Sequence, residues 1–503
     1  MSSVTKVVGL AVLLLGAAVW AAGARAQEPQ DQQEPQDNTQ TPPTQTPPKP
    51  AARGIPGIDD TSGNDEQPTN WQADTTPVTG IESPTLGQPE LGHSYWVPGA
   101  IFGSIIESQP PGLGSGSSGW YANNYIGGQV SLLENWSRSQ LALNYSGGGV
   151  ITTQQNPVTG ENGWFQQLAV GQNFNLNRWK IQWLDYFSYL PTSQFGFGVG
   201  TGLALPGVNG VTGTLGPGMP GLNLSLVPNQ SIYSAVGPRY SNAFATQITY
   251  LISPRLSITL AGAYELLDFT QAGSIDSKTA IGSAGLNYAL SSTDFIGVLY
   301  MFEGYHFDGE PQALGTQTIA VSYSKKVTQK VALTLSAGPQ FTSYRVPIGN
   351  QTSSLGAYAS ASLKYAFERS NVDLSFAHGI SAGSGILTGS DSDTLVAGYS
   401  HRFGRVWTGT LNVGYSHNSE LGQAATTTGG VVTTPTLATS FNDIFAGGSV
   451  SRPFGRNVQL SAAYTASHET TSGTCTGTNC SLDYTQNIVT ITLQYRTRPL
   501  VLP

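Results

Sequence analysis

The stretch "VWTGTLNVGYSH", residues 406 to 417, alternates between two kinds of side chain. This period of two predicts a β-strand, because successive side chains of a strand point to opposite faces. One face is apolar and consists of Trp407, Leu411, Val413 and Tyr415. The other face is polar and consists of Thr408, Thr410, Asn412 and Ser416. The apolar face is either the core of a soluble sandwich or a surface in contact with lipid, and the fold depends on which.

Similar runs recur along the chain from Trp120 to Tyr495. Each holds on the order of 10 to 15 residues, more than the five or six of an average sandwich strand and enough for a tilted membrane strand. Short turns and longer loops join them alternately. The short turns are Asn135 to Arg138, Asn177-Arg178, Ser253 to Arg255, Ser291 to Asp294, Thr328 to Lys330, Glu368 to Asn371, Gly404-Arg405 and Gly455 to Asn457. This asymmetry predicts a transmembrane antiparallel up-and-down β-barrel whose short turns are periplasmic and whose long loops are extracellular.

The strand count follows from the same asymmetry. Seventeen runs are visible between Trp120 and Tyr495, and the first ends in a short turn, so it descends from the outer side. A periplasmic N-terminus then requires one earlier strand, for which "YWVPGAIFGSIIES", residues 95 to 108, is the only candidate. The sequence predicts an all-β barrel of about 18 strands, with 16 as the alternative, since an even number lets the first and last strands close.

The N-terminus indicates secretion. An apolar run from Val7 to Ala22 follows Lys6 and ends at Ala24-Arg25-Ala26, an A-x-A cleavage pattern. We expect residues 1–26 to be a cleaved signal peptide, with an uncleaved membrane anchor as the alternative. The protein is therefore expected in the outer membrane of a Gram-negative bacterium.

A tail rich in Pro and Gln, residues 27–92, precedes the barrel, which we assign to residues 93–503. The tail carries eleven acidic residues against Lys49 and Arg53, and few apolar ones. Such a segment cannot offset its ordering entropy, so we expect it to be disordered and to lie in the periplasm. It is either a solvated spacer or a segment that docks a periplasmic partner.

The composition suits a barrel wall. Only 10% of the 503 residues are charged, against about 25% in soluble proteins, and 10% are aromatic. The two cysteines, Cys475 and Cys480 in "CTGTNC", are expected to form a disulfide in an oxidising compartment, because two thiols alone do not complete a tetrahedral metal site.

By size and strand count, residues 93–503 resemble the porin-like outer-membrane barrels of Gram-negative bacteria. Phrases such as "FGFGVG", "LVPNQS" and "LSAGPQ" are similar to those of uncharacterised bacterial outer-membrane barrel proteins. The chain departs from the pattern at its end: Tyr495 fits the usual final aromatic residue, but "RTRPLVLP" follows it.

The polar faces of the strands predict a hydrated lumen lined by small residues. Charged and polar side chains expected to face it are Glu265, Glu303, Lys364, Asp373, Arg402, Thr408, Thr410 and Asn412. Glu265 and Glu303 each lie nine residues or so above a turn, which places them close to the outer mouth, while basic residues concentrate at the short turns of the other end. An acidic outer mouth would mildly favour cations; the alternative is that the basic turn residues simply contact lipid headgroups or water and that the charges confer no selectivity. Lys364 and Asp373 are expected to be diagonal neighbours near one turn, and a structural ion pair is their simplest interpretation.

The third outer loop, Pro191 to Ser241, is long, rich in Gly and Pro, and uncharged before Arg239. Loops of this length are usually functional. The resemblance implies that it folds into the barrel and narrows the pore; the alternatives are a cap over the mouth, packing against a neighbouring barrel, or a flexible loop.

Two functions remain open. The first is a porin-like channel for passive diffusion of small polar or weakly polar solutes, and the second is a non-conducting scaffold or surface-binding protein that uses its extracellular loops. No enzyme is expected: "GISAG" (379 to 383) fits G-x-S-x-G but lies where a strand exits into a loop rather than at a nucleophile elbow. The histidines show no ligand spacing, so no metal and no cofactor are expected, and no nucleic-acid patch is present. The expected partners are membrane lipid, the solute and a second copy of the chain.

Overall fold

A computed structural model describes the barrel strands and their short turns. The described residues are 94–108, 120–152, 163–190, 239–270, 275–308, 313–328, 330–345, 352–367, 369–382, 387–404, 406–421, 427–428, 431–432, 440–472 and 484–501. Outside them lie the predicted signal peptide, the predicted tail, both cysteines and residues 191–238 of the predicted third loop. The strand that follows this loop begins at Arg239, so Arg239 to Ser241 are strand and not loop. No helix in the described part is long and apolar enough to span a membrane.

Within the described residues, eighteen long strands form one antiparallel sheet. They are β1 Tyr95–Ser108, β2 Trp120–Asn135, β3 Ser139–Thr152, β4 Gly163–Leu176, β5 Trp179–Leu190, β6 Arg239–Ser253, β7 Leu256–Phe269, β8 Ser277–Ala289, β9 Asp294–Phe307, β10 Ala313–Thr328, β11 Val331–Arg345, β12 Thr352–Ala366, β13 Ser370–Ser381, β14 Ser390–Phe403, β15 Trp407–Glu420, β16 Ser440–Phe454, β17 Val458–Ser472 and β18 Tyr484–Arg496. A short hairpin, in which Thr427–Thr428 pairs with Val431–Val432, stands apart from this sheet. The predicted count of 18 and the predicted first strand at 95 to 108 are confirmed.

The sheet closes on itself because β1 pairs with both β2 and β18. The closing ladder runs from Gly99 opposite Arg496 to Glu107 opposite Ile488. The residues after β18 extend this closure: the backbone N–H of Thr497 donates to the carbonyl oxygen of Pro98 at 2.9 Å, and Leu500–Val501 pairs with Tyr95 and Trp96. The segment after the last aromatic residue therefore reinforces the closing strands, and the sheet has no free edge along this ladder.

The outer surface of the barrel is apolar. In β15, Leu411 and Val413 are 58% and 50% exposed, whereas Ser416 on the other face is buried. Aromatic side chains form rows at both ends of the wall. Trp179 packs on Tyr250 at the periplasmic end, with ring centroids 4.5 Å apart, and Tyr189 packs on Trp164 at 4.3 Å at the outer end.

The spacing of these two rows fits a membrane. Ten residues separate Trp179 from Tyr189 in β5. At a rise of about 3.3 Å per residue and a tilt near 40°, they are about 25 Å apart along the barrel axis, the height of the apolar band of outer-membrane barrels. A closed antiparallel barrel with an apolar, aromatic-bounded exterior spans a membrane, because neighbouring strands pair the backbone groups of its wall. The fold is that of a Gram-negative outer-membrane barrel.

Candidate functional site in the barrel interior

The inner face of the barrel has a packed part and a partly exposed part. From β5 to β11 the inward side chains are mostly buried. Examples that are at most 5% exposed are Gln182, Gln247, Thr259, Asn287, Leu299, Thr318 and Ser336. From β12 to β17 the periplasmic half of the inner face remains partly exposed. Its polar members include Ser362, Lys364, Asp373, Ser375, Arg402, Thr408, Thr410, Asn412, Ser449 and Thr465. Solvent therefore reaches a polar vestibule on this side of the interior.

The packed part corrects the expectation of a uniformly small and polar lining. Leu184, Ile281, Leu299 and Met301 form a buried apolar cluster with three alanines on the inner face of β5 to β9. Tyr358 of β12 packs against this cluster from across the interior. This contact explains why β5 and β9 alternate poorly in sequence: their inner faces are apolar as well as their outer faces, because each has a packing partner on the inside.

Glu303 lies above this apolar cluster and is 7% exposed. Its carboxylate accepts a hydrogen bond from the Thr316 hydroxyl at 2.7 Å, and Thr316 is its directly opposite neighbour in β10. The Tyr305 hydroxyl, two residues further along the same face of β9, lies 3.2 Å from the same carboxylate oxygen. A buried carboxylate of this kind requires such donors, because it has lost its hydration.

The outer end of the interior is narrowed by contacts across it. Tyr305, Phe307, Leu314 and Ala382 form a second buried apolar cluster, and Ile380 packs against it. The Tyr305 hydroxyl also lies 3.2 Å from the carbonyl oxygen of Ile380 in β13. Since β9 and β13 are four strand steps apart, or about 19 Å along a regular wall, one tyrosine side chain reaches β13 only because β13 leans inward.

Glu265 and Arg239 form a second buried charged site near the outer end. Glu265 is 3% exposed, between Ala243 of β6 and Thr279 of β8. Arg239, the first residue of β6, is 1% exposed and interacts electrostatically with Glu265 and with Tyr186. Sequence reasoning placed Arg239 in a loop and did not propose it as an interior residue.

Three further acidic side chains on the inner face were missed. Glu107 accepts a hydrogen bond from the Asn123 side chain at 3.1 Å. Asp443 and Glu469 are 2% and 1% exposed and lie directly opposite each other in β16 and β17. All three lie in the outer third of their strands, at the level of Glu265 and Glu303. The alternation of β17 could have identified Glu469, because it shares a face with Ser461 and Thr465.

The predicted interior residues of the periplasmic half lie together on the partly exposed side. Lys364 and Asp373 are directly opposite each other and interact electrostatically, so the pair is a direct one and not the predicted diagonal one. Arg402 lies opposite Thr408 near the same end. Thr410 shares a hydrogen bond of 2.7 Å with Ser449 of the next strand, and Asn412 is on the same face.

The residues of the "GISAG" match are not arranged for catalysis by His378. Ser381 and His378 are three residues apart in β13, so their side chains leave opposite faces of the strand. Ser381 shares a buried hydrogen bond of 2.7 Å with Ser390, whereas His378 Nδ1 lies 2.9 Å from Asp393 Oδ1. Within the described ranges, no group of three or more His, Cys, Asp and Glu is placed to hold a metal ion.

Solved structures of outer-membrane proteins are similar to this chain in outline. The outer membrane protein OpdK from Pseudomonas aeruginosa is 11% identical over 80% of this chain and 99% of that chain, with a TM-score of 0.37. OccK2 (OpdF) from Pseudomonas aeruginosa is 9% identical over 80% and 98%, with a TM-score of 0.40. A BenF-like porin from Pseudomonas fluorescens is 10% identical over 81% and 99%, with a TM-score of 0.39. No protein-family model and no curated protein matches the sequence. The fold assignment rests on the strand pairing and the exterior surface, not on these similarities.

Proposed function

We propose that this protein is a non-enzymatic, porin-like channel for the passive diffusion of small solutes across the outer membrane. The supporting observation is the polar vestibule of β12 to β17, where Ser375 is exposed and Thr408, Thr410 and Asn412 are partly exposed on the inner face. A barrel with only a structural core would bury this face against bulky side chains, as β5 to β9 do.

The channel is expected to prefer cations. The outer third of the barrel holds five inward carboxylates, those of Glu107, Glu265, Glu303, Asp443 and Glu469. Among the described residues, Arg239 is the inward cation at the same level. Rings of carboxylates favour cations in channels, and their effect is larger where water is excluded. The third outer loop, residues 191 to 241, is proposed as an additional constriction because of its length and its lack of charge before Arg239.

Single-channel recording of the refolded protein in a planar bilayer tests this proposal. Discrete conductance steps are expected, with a reversal potential in a salt gradient that indicates cation preference. A barrel that is properly folded, judged by its heat-modifiable migration on a gel, but electrically silent would exclude the channel function.

The burial of the outer half of the interior favours a second candidate, a non-conducting scaffold. Ser416 and Asn418 are buried at the outer end of β15 although Thr408 to Asn412 are partly exposed. In that case the extracellular loops, including the predicted Cys475 to Cys480 loop, would bind a partner and the tail would contact a periplasmic protein. Deletion of residues 191–238 separates the two: it raises conductance if the loop narrows a channel and leaves it at zero in a scaffold.

A further inference from the structure

The wall of the barrel is interrupted between β12 and β13. Their ladder begins at Ala366 opposite Asn371 near the periplasmic turn and stops at Ala359 opposite His378. Above this point, β12 continues to Thr352 along β11, and β13 continues to Ser381 along β14. Residues 352–358 of β12 therefore have no partner in β13 among the residues that the structure describes.

Both faces of this part of β12 are exposed. Five consecutive residues, Ser353 to Ala357, are exposed, and Leu355 is 69% exposed. In an intact wall the exposure alternates, as it does in β10, where Thr316 and Thr318 are buried and Ile319 is 48% exposed. Continuous exposure means that the segment is covered neither from the interior nor from the side where β13 would lie.

The inward lean of β13 accounts for the interruption. Ile380 packs against the buried cluster of Tyr305, Phe307, Leu314 and Ala382, and its carbonyl oxygen lies 3.2 Å from the Tyr305 hydroxyl of β9. A strand end that contacts β9 and β10 cannot also remain paired with β12. The contact that narrows the outer end of the barrel therefore also opens its side.

The opening lies at the level of the outer leaflet. Tyr365 and Phe367, whose ring centroids are 3.9 Å apart, mark the periplasmic end of β12. Tyr358 and Thr352 are eight and fourteen residues above Ala366. At about 3.3 Å per residue and a tilt near 40°, the gap extends from about 20 to about 35 Å above this end, against an apolar band of about 25 Å. Its lower part faces acyl chains and its upper part faces headgroups.

The two rims of the opening differ in chemistry. On the β12 side, Leu355, Ala357 and Tyr358 make the lower part apolar or aromatic, and Thr352 to Ser354 make the upper part polar. On the other side, His378 Nδ1 lies 2.9 Å from Asp393 Oδ1 and 3.7 Å from Asp391 Oδ1, and the Asp391 side chain is 46% exposed. A rim that is apolar in its lower part and faces an acidic rim suits a molecule with an apolar body and a positively charged head.

We propose that the gap between β12 and β13 is a side opening through which small amphipathic cations pass between the barrel interior and the outer leaflet. This inference rests on the proposed channel function and names a class of solute for it. Such molecules partition into the membrane interface, where the side opening is accessible to them and the outer mouth is not.

A cross-link between the separated strands tests the inference. Extension of the ladder by two residues would place Ala357 opposite Ile380, so Ala357→Cys with Ile380→Cys joins the two rims. The background is Cys475→Ser with Cys480→Ser. A disulfide, or a short bismaleimide where the cysteines are too far apart for one, closes the gap. The control pair is Ala361→Cys with Phe376→Cys, which joins the same strands where they already pair.

Transport is measured in liposomes loaded with DNA, with ethidium as the amphipathic cation and arabinose as the small polar solute. Closing the gap is expected to reduce ethidium entry to the level of protein-free liposomes, with arabinose entry retained and with full recovery after reduction of the disulfide. The control pair should change neither. Ethidium entry that is unaffected by a verified cross-link, or absent from a wild-type barrel that passes arabinose, would overturn the side opening alone. A wild-type barrel that passes neither solute would overturn the channel itself.

Discussion

The Tyr305 hydroxyl lies 3.2 Å from the carbonyl oxygen of Ile380, although three strands separate β9 from β13 along the wall. The same hydroxyl lies 3.2 Å from the buried carboxylate of Glu303. It has one hydrogen to donate and two acceptors within reach. Tyr305 thus connects the interior carboxylate to the inward-leaning strand that narrows the outer end of the barrel.

Tyr305→Phe is expected to increase channel conductance. The substitution retains the ring that packs with Phe307 and Leu314, but it removes the hydrogen bond that holds β13 inward. The loss of one such bond costs roughly 0.5–1.5 kcal/mol, which shifts the population of the narrowed state without unfolding the barrel. Single-channel recording measures the change. Tyr300→Phe, on the outer face of the same strand and 43% exposed, is the control and should conduct like the wild type. Equal conductance of all three proteins would contradict a role of Tyr305 in the narrowing.

Glu303→Gln is expected to reduce cation preference. The amide retains an acceptor for the Thr316 hydroxyl while it removes a charge from a buried site, where charges act more strongly on a permeant ion than they do in water. The reversal potential in a potassium chloride gradient should move towards zero. Asp185→Asn is the matched control, because this carboxylate lies on the outer face of β5 and accepts a bond from Asn242 there. An equal shift in both variants would indicate a general field effect and not an interior site.

The strand pattern was predictable from sequence, and the interior was not. Strand number and the eight short turns depend on local features, namely a period of two and the spacing of turn residues. The apolar cluster around Leu299 and Met301 depends on Tyr358, which is more than fifty residues away in the chain. The departure of β13 from β12 depends on Tyr305 and Leu314 in the same way. The residues next to each other in the chain carry no signal of such contacts. The poor alternation of β5 and β9 could therefore be seen in the sequence, but the packing that causes it could not.

Asp308→Asn is expected to weaken the outer end of β8 and β9 in a manner that depends on pH. Lys278 Nζ donates to both carboxylate oxygens of Asp308, at 2.9 and 2.7 Å, and this holds the pKa of Asp308 below its usual range. A lowered pKa in the folded state stabilises the fold above the ordinary carboxyl pKa, and this stabilisation is lost as the pH falls through the lowered value.

Urea unfolding of wild type and Asp308→Asn across this pH range measures the effect. The difference should be small, because the two side chains are 42% and 40% exposed and salt screens such pairs. It should be present at neutral pH, vanish in acid, and also vanish at high ionic strength. A difference that persists in acid would mean that Asp308 acts through packing and not through its charge.

Gly338→Ala is expected to destabilise the barrel. A Cβ at this position would overlap the carbonyl group of Ile319 and the Cα of Ala320 in β10, where the ladder with β11 is interrupted beside Pro339. Because backbone atoms cannot rotate away, we expect a cost of roughly 1–3 kcal/mol in urea unfolding. Gly282→Ala is the control, since a Cβ there would meet nothing within 4 Å. Removal of a strand glycine at an open position should be neutral or stabilising. Similar unfolding curves for the two variants would contradict the close approach of β10 to Gly338.

Thr410→Cys and Leu411→Cys are expected to differ in their reaction with water-soluble thiol reagents, although they are adjacent in β15. Leu411 is 58% exposed on the outer face, and in a bilayer that exposure is to lipid, where a charged maleimide does not enter. Thr410 is partly exposed on the inner face, where it shares a hydrogen bond with Ser449, and water reaches it through the vestibule. On the cysteine-free background, the charged reagent should modify position 410 and spare position 411, and a lipid-soluble maleimide should do the reverse. Reaction of the charged reagent at position 411 alone would show that the two faces of β15 are assigned the wrong way round. The assignment of interior and exterior would then be reversed throughout the barrel, because the eighteen long strands belong to one sheet.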